Sequence, residues 1–225
     1  MSPPTGTITF LFTDIAGSTQ RWEHHRAAME AALARHNTLL QAAITEHGGF
    51  VFHTAGDAFC AAFGSASEAL AAAVDAQRAL AAEDWSACGP DFPPLAVRMG
   101  LHTGTVEWRD GDYFGPPLNR TARLMSAGHG GQILLSLATQ QLVRDDLPPG
   151  AALHDLGAHR LKDLRNSEHI FRLTAPGFPD VATPPATAEQ LSARGVPAVP
   201  ARGGVPGGAV RGWGVGVGVP GMPRA

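Results

Sequence analysis

Lysine is almost missing from this 225-residue chain: of 17 basic residues 16 are arginine, and Lys162 stands alone. Cysteine is nearly as scarce, with two residues, and charged side chains of both signs make up only 16% of the chain. Cys60 and Cys88 cannot build a disulfide framework, and neither has the spacing of a metal-ligating motif. A net charge of −3 with no basic run argues against a dedicated nucleic-acid surface or a polybasic membrane module. No segment approaches the roughly 18 consecutive apolar residues of a membrane span. Met1–Phe10 has neither the charged start nor the apolar run of a signal peptide. These absences leave an expectation of a cytoplasmic protein with no nucleic-acid partner and no membrane span.

Glycine and proline are present in quantity but unevenly. Of 45 such residues, 20 fall between Pro176 and Ala225. That stretch has no sustained apolar period and few large side chains, so burial cannot offset its ordering entropy. Residues 176–225 are therefore expected to form a disordered tail or linker, either a contact for a regulatory partner or the remnant of a longer chain. Its six charges sum to +2, which leaves about −5 on residues 1–175, the expected folded domain.

Within 1–175 the patterns alternate between strand and helix. Thr7–Thr13 is β-branched and aromatic, a buried strand. Ser18 or Thr19 can cap a helix carrying Trp22, Met29, Leu33, Leu40 and Ile44 at helical spacing. Phe50–Thr54 and Ala58–Phe63 read as two strands joined by the Ala55-Gly56-Asp57 turn. Ala66–Ala82 reads as a helix and Leu95–Thr105 as a strand. Val106–Phe114 is an extended arm turning at Asp110-Gly111, and a helix follows from Gly115-Pro116-Pro117 to about Ala127. Ile133–Leu135, Ser136–Val143, His154–Leu161 and His169–Thr174 complete the series as strand, helix, strand and strand. The order predicts an α+β fold: a ferredoxin-like βαββαβ core with extra strands and helices, the helices gathered on one sheet face.

Three places could carry chemistry. Asp14 ends an apolar strand just before Gly17-Ser18-Thr19, and Asp57 sits in a tight turn after another strand. Alone, each is an ordinary turn or capping aspartate. On adjacent strand ends they become a candidate site for hard divalent cations, which take oxygen ligands and often only one or two carboxylates plus substrate phosphates. Asn119 and Arg123 lie four residues apart, on one helix face. As surface residues they would simply be solvated; facing a cleft, their donors suit a phosphoryl transition state. The histidines, including His24, His25, His36 and His47, offer no credible zinc spacing, and Trp22 and Phe59 are expected in the core.

FTDIAGST at 12–19, FHTAGDAFCAAF at 52–63 and DYFGPPLNRTARL at 112–124 together resemble the class III nucleotidyl cyclase catalytic domain. They are most similar to the actinobacterial-type domains that often precede ATPase or transcription-regulator modules. The resemblance covers roughly Thr7 to Leu173, with the three blocks in order.

It implies conversion of a nucleoside triphosphate to its 3′,5′-cyclic monophosphate and pyrophosphate, with two Mg²⁺ or Mn²⁺ ions per site. By this resemblance Asp14 and Asp57 hold the metals, assisted by the carbonyl of Ile15. Asn119 orients the ribose, and Arg123 stabilises the transition state. Arg98 and Lys162 contact phosphates. His53 and Asp112 occupy the base-reading positions. Adenylyl cyclases of the family typically carry lysine where this chain has His53; histidine is shorter, but when neutral it still donates to a ring nitrogen. His53 can equally be a tolerated strand residue. Asp112 suits the exocyclic amino group of adenine, so ATP is the expected substrate, with GTP an open second. Because the family builds each site from two protomers and this chain holds both sets, a homodimer is implied, with Val106–Phe114 embracing the partner. Two other readings stand beside it: a nucleotide-binding or dimerisation module with weakened catalysis, and a polymerase-like palm.

Overall fold

The computed structural model describes residues 2–187 and Gln190. Its architecture follows from strand β1 (Gly6–Ile15), which is buried from Ile8 to Thr13 with no alternation. Leu11 and Ile15 face one side, Ile8, Phe10 and Phe12 the other, and all five are at most 2% exposed. Leaving side chains of this size in water would forgo about 2 kcal/mol each, so both faces of the sheet need cover.

Both are covered. β1 lies antiparallel between β3 (Ala58–Phe63) and β4 (Val97–Arg109). From one edge the sheet runs β2 (Phe50–Ala55), β3, β1, β4, β6 (Ile133–Ser136), β8 (Glu168–Thr174), β7 (Ala152–His159). β5 (Asp112–Phe114) pairs only with the end of β4. The first four strands, with the helices between them, are the βαββαβ core expected from the sequence. Helices α2 (Arg26–Glu46), α3 (Ala66–Ala82) and α5 (Leu137–Val143) cover the Leu11 face. α4 (Pro116–Ala127) covers the Phe10 face, which corrects the expectation of helices on one face only.

Two glycines seat α4. A Cβ at Gly100 would stand 2.6 Å from the backbone N of Met125, and one at Gly104 would stand 2.7 Å from Pro117. The helix therefore lies directly on β4 and runs back along it. The chain then enters β6 parallel to β4, pairing Met99 with Ile133.

Local departures from the sequence reading have local causes. The first helix breaks at His25 (φ −137°, ψ 45°) into α1 (Ser18–His24) and α2. α1 buries no residue; Arg21 ties it to the carbonyls of Pro93 and Pro94 at 2.7 and 2.9 Å, whereas α2 follows its own buried stripe. Neither Ser18 nor Thr19 caps α1, because left-handed Gly17 (φ 72°) occupies that position with no side-chain bond. The arm is a continuation of β4 to Arg109, closed by Asp110 (φ 53°) and Gly111 (φ 80°), the paired positive φ values of a two-residue hairpin loop.

Residues 176–187, which composition assigns to the tail, pack back on the domain. Gln132 donates to the carbonyls of Val181 (3.1 Å) and Thr183 (2.8 Å), and Ala186 N–H donates to Ala127 O at the end of α4 (2.8 Å). Ala186 is 3% exposed, in a cluster with Leu124, Leu161 and Ile170. Buried polar groups on the domain thus find partners in a segment with little core of its own. The rest of the expected tail lies outside the described residues. Among the described residues, no helix is long and apolar enough to cross a membrane.

Candidate active site

Strand register places the first half of the site. Asp14 and Arg98 are direct partners across β1 and β4. Arg98 Nε donates to Asp14 Oδ2 at 2.8 Å, its Nη2 donates to the same oxygen, and its Nη1 reaches the carbonyl of Ser126 on α4 at 3.4 Å. Asp57, in the two-residue turn between β2 and β3, accepts the Ile15 N–H on Oδ2 at 3.0 Å. That bond draws the hairpin turn onto the end of β1, so the carboxylates of Asp14 and Asp57 converge beside the backbone of Ile15. Burial raises the Asp14 carboxyl above its usual range; Arg98 opposes this, and the charge of Asp57 adds to it.

These donors suit a hard divalent ion. Among the described residues nothing bonds Asp14 Oδ1 or Asp57 Oδ1, so each carboxylate keeps one oxygen available. Among the described residues no cluster of three or more histidine, cysteine, aspartate or glutamate side chains forms a cation site. A pair of carboxylates with a backbone carbonyl is instead the donor set that relies on substrate phosphates to complete it.

A β-bulge places the second half. Register slips between Val51 and His53, so that Val51 pairs with Ala61 while His53 pairs with Cys60. Without the extra residue His53 would share the helical face with Val51. With it, both Phe52 and His53 lie on the Cys60 side, where Phe52 packs edge-on against Tyr113 at 5.0 Å. Asp112, one residue before Tyr113, is near enough for its charge to act on Cys60. Burial first, and then that charge, push the Cys60 thiol up to about 12, so it stays protonated. Among the described residues His53 Nε2 is buried without a partner, an acceptor or donor still to be satisfied. Such an orphan costs about 1–3 kcal/mol, a cost a bound base could relieve.

Helix α4 and the β7–β8 turn supply the third group. Asn119 is exposed, and Arg123, one turn on, is 12% exposed with Nη2 2.7 Å from Asp163 Oδ2. Asp163 takes a left-handed conformation (φ 62°) immediately after Lys162, and Leu161 is buried beside Leu124 of α4. The ion pair and this packing bring the Lys162 turn to α4. Sequence reading missed Asp163, although its place next to the single lysine was a usable signal. Nothing in the local sequence marks the bulge.

Among the described residues, no hydrogen bond or ion pair joins Asp14 or Asp57 to His53, Asp112, Asn119, Arg123 or Lys162. A cavity of about 260 Å³ lies at the other end of β1, lined by Thr7, Thr9, Ser65 and Thr103 among others, and none of the site residues borders it.

Known proteins share this fold and much of this sequence. The chain is 42% identical over 198 residues to an uncharacterised protein of Mycobacterium tuberculosis, covering 87% of this chain and 66% of that one. It is 31% identical over 221 residues to an adenylate cyclase of Neurospora crassa, over 75% of this chain and 10% of that protein. An adenylate cyclase structure from Trypanosoma brucei, determined in its monomeric state, superposes with a TM-score of 0.69 at 26% identity, covering 80% of this chain and 94% of that one. The adenylate and guanylate cyclase catalytic domain model matches residues 1–174. With this match and a fold in common, the chain belongs to the adenylate and guanylate cyclase catalytic domain family.

Proposed function

We propose that this chain is an adenylyl cyclase, converting ATP to 3′,5′-cyclic AMP and pyrophosphate at two equivalent sites of a cytoplasmic homodimer. The observation that carries the reading is the pairing of Asp14 and Asp57 beside the Ile15 backbone in a chain of this family. Asp14 and Asp57 meet through the Ile15 N–H, while the base and ribose groups of the same chain make no bond to them. A second copy, turned about a two-fold axis, would bring its His53, Asp112, Asn119 and Arg123 to those carboxylates and receive the same in return.

In the reaction the ribose 3′-oxygen attacks the α-phosphorus, the 3′-proton is lost, and the bond to the bridging oxygen breaks to release pyrophosphate. Asp14, Asp57 and the Ile15 carbonyl would hold two divalent ions, Mg²⁺ or Mn²⁺, whose charge would make the 3′-hydroxyl more acidic and offset that of the phosphates. Arg98 exchanges its bond to Asp14 for the terminal phosphates. Asn119 holds the ribose so that the 3′-oxygen stays in line. Arg123 leaves Asp163 and meets the charge growing on the α-phosphoryl oxygens, where a preorganised donor acts most strongly. Lys162 supports the phosphates from the adjoining turn. Asp112 accepts the exocyclic amino group of adenine, and His53 Nε2 finds its partner on the base ring.

The test is a direct assay of cyclic AMP and cyclic GMP from purified protein with each metal. Cyclic AMP formation is expected. Wild-type dimer that binds ATP and metal without forming cyclic product would favour a second reading, a nucleotide-gated dimerisation module, for which His53 in place of lysine is the supporting feature. Excess cyclic GMP would reassign the substrate to GTP.

A further inference from the structure

Tyr113 carries the one phenolic hydroxyl of the chain, and the residue is 3% exposed. It stands on β5 opposite Trp108 of β4, with ring centroids 4.5 Å apart. Phe10 of β1 meets it edge-on at 5.4 Å, and Phe52 of the bulge at 5.0 Å. Beyond this apolar cluster its hydroxyl donates to the carbonyl of Pro4 at 2.7 Å. Burial pushes that hydroxyl up to about 12, so it remains a donor across the ordinary pH range. The ring packing would accept phenylalanine; only the bond to Pro4 requires tyrosine.

Both base-reading candidates adjoin this cluster. Asp112 precedes Tyr113 on the strand, and its Oδ1 accepts the Tyr113 N–H at 2.8 Å. Among the described residues nothing bonds its Oδ2. His53 follows Phe52 and pairs with Cys60, the thiol on which the charge of Asp112 acts. Pro4 lies just before β1, whose Gly6 pairs with Val106 of β4, two residues from Trp108. Tyr113 is thus held by its hydroxyl on the N-terminal segment and by its ring on Phe52 and Trp108, and through its N–H it holds Asp112.

We propose that Tyr113 is a positioning residue for nucleotide choice: anchored on Pro4, it fixes the N–H that orients the Asp112 carboxylate toward the base. The inference rests on reading Asp112 as the acceptor for the exocyclic amino group of adenine. Adenine presents a donor at that position of the ring, and guanine an acceptor oxygen. A carboxylate held in one orientation attracts the first and repels the second, so discrimination depends on how firmly it is held. Residues 2–5, which no motif singles out, thereby take part in substrate selection.

The test measures binding of the α,β-methylene analogues of ATP and GTP, which cannot release pyrophosphate, by titration calorimetry with Mn²⁺. It uses wild type, Tyr113→Phe, Asp112→Ala, the double variant and a chain lacking residues 2–5, which removes the Pro4 carbonyl. A change in folding or in pairing of chains moves both affinities together, so their ratio reports on the base alone. Tyr113→Phe is expected to lower the ATP-to-GTP affinity ratio about fivefold, the worth of one net hydrogen bond. Loss of residues 2–5 should lower it equally. Asp112→Ala should lower it about tenfold, as removal of a charged acceptor does, and the double variant no further. An unchanged ratio in Tyr113→Phe or in the shortened chain, while Asp112→Ala lowers it, would overturn the role of Tyr113. So would losses that multiply in the double variant. A ratio that Asp112→Ala leaves unchanged removes the base-reading assignment itself, and the inference with it.

Discussion

The two halves of the candidate site are made in different ways. Asp14, Arg98 and Asp57 stand on strand ends fixed by antiparallel register, and each is tied by hydrogen bonds to another part of that half. Asn119 and Arg123 stand on one helix, His53 on a bulge and Lys162 on a turn, joined chiefly by the Arg123–Asp163 pair. In the first half the turn carrying Asp57 is tied to the Ile15 N–H at the end of β1, and in the proposed reaction only Arg98 changes its partner there. The second offers donors that must leave protein partners, or find their first, when substrate binds. On the proposed reading, a tightly bonded cation site opposed by an adjustable nucleotide clamp would suit a shared interface, since one half must tolerate small errors in docking.

The variants that break this comparison most sharply remove the rigid half. Asp57→Ala should lower cyclic AMP formation by about 10³-fold, because several kcal/mol of charge stabilisation go with the metal. Initial-rate assays at saturating Mn²⁺ check it, and near-normal turnover would remove Asp57 from the site.

Arg123→Ala should act on the other half, lowering kcat by about 10²-fold with little change in KM. Mixed with Asp57→Ala it should regain about a quarter of wild-type activity, since half the dimers are mixed and each then has one intact site. If mixed dimers form and activity stays at the level of either parent, the sites are not shared.

His53→Lys should alter the ratio of cyclic AMP to cyclic GMP about fivefold, the worth of one net hydrogen bond, and leave Mn²⁺ binding untouched. An unchanged ratio would make His53 a strand residue only.

The smallest effect is a displacement along the pH axis. Burial raises the pKa of Asp14, so proton binding competes with metal above the ordinary aspartate range. As pH falls, Mn²⁺ affinity should begin to decline earlier than an exposed carboxylate would cause. For the metal-free fold the sign is opposite. The raised pKa favours the neutral form, so its stabilising contribution is complete below about 3.9 and is lost as pH rises through the folded value. Asp14→Asn should therefore raise the melting temperature of metal-free protein at neutral pH, which calorimetry can measure.

Much of the fold was legible because its signals are local and repeated. The β-branched run at Thr7–Thr13, the alanine helix at Ala66–Ala82, Asp110-Gly111 and Pro116-Pro117 each match an element in place. The break at His25 was not legible, since it depends on Arg21 finding carbonyls some 70 residues away. Nor was the seating of Ala186, whose partner Ala127 lies at the far end of another element. The Pro/Gly-rich composition described residues 176–187 correctly as poor in core; it could not say that Gln132 and α4 would supply the partners they lack.

What the sequence determined by itself was the family, through three ordered blocks. It also determined the strand and helix order, because periodicity and turn residues act over a few positions. Only the tertiary structure decided which faces the candidate site residues share. A one-residue bulge at Phe52 set His53 opposite Cys60, a register pair set Arg98 on Asp14, and α2 carried His36 into the core. The physical reason is the period of two along a strand. A single extra residue reverses every side chain after it, and whether that residue is extra is settled by the strand alongside, not by its neighbours in the chain.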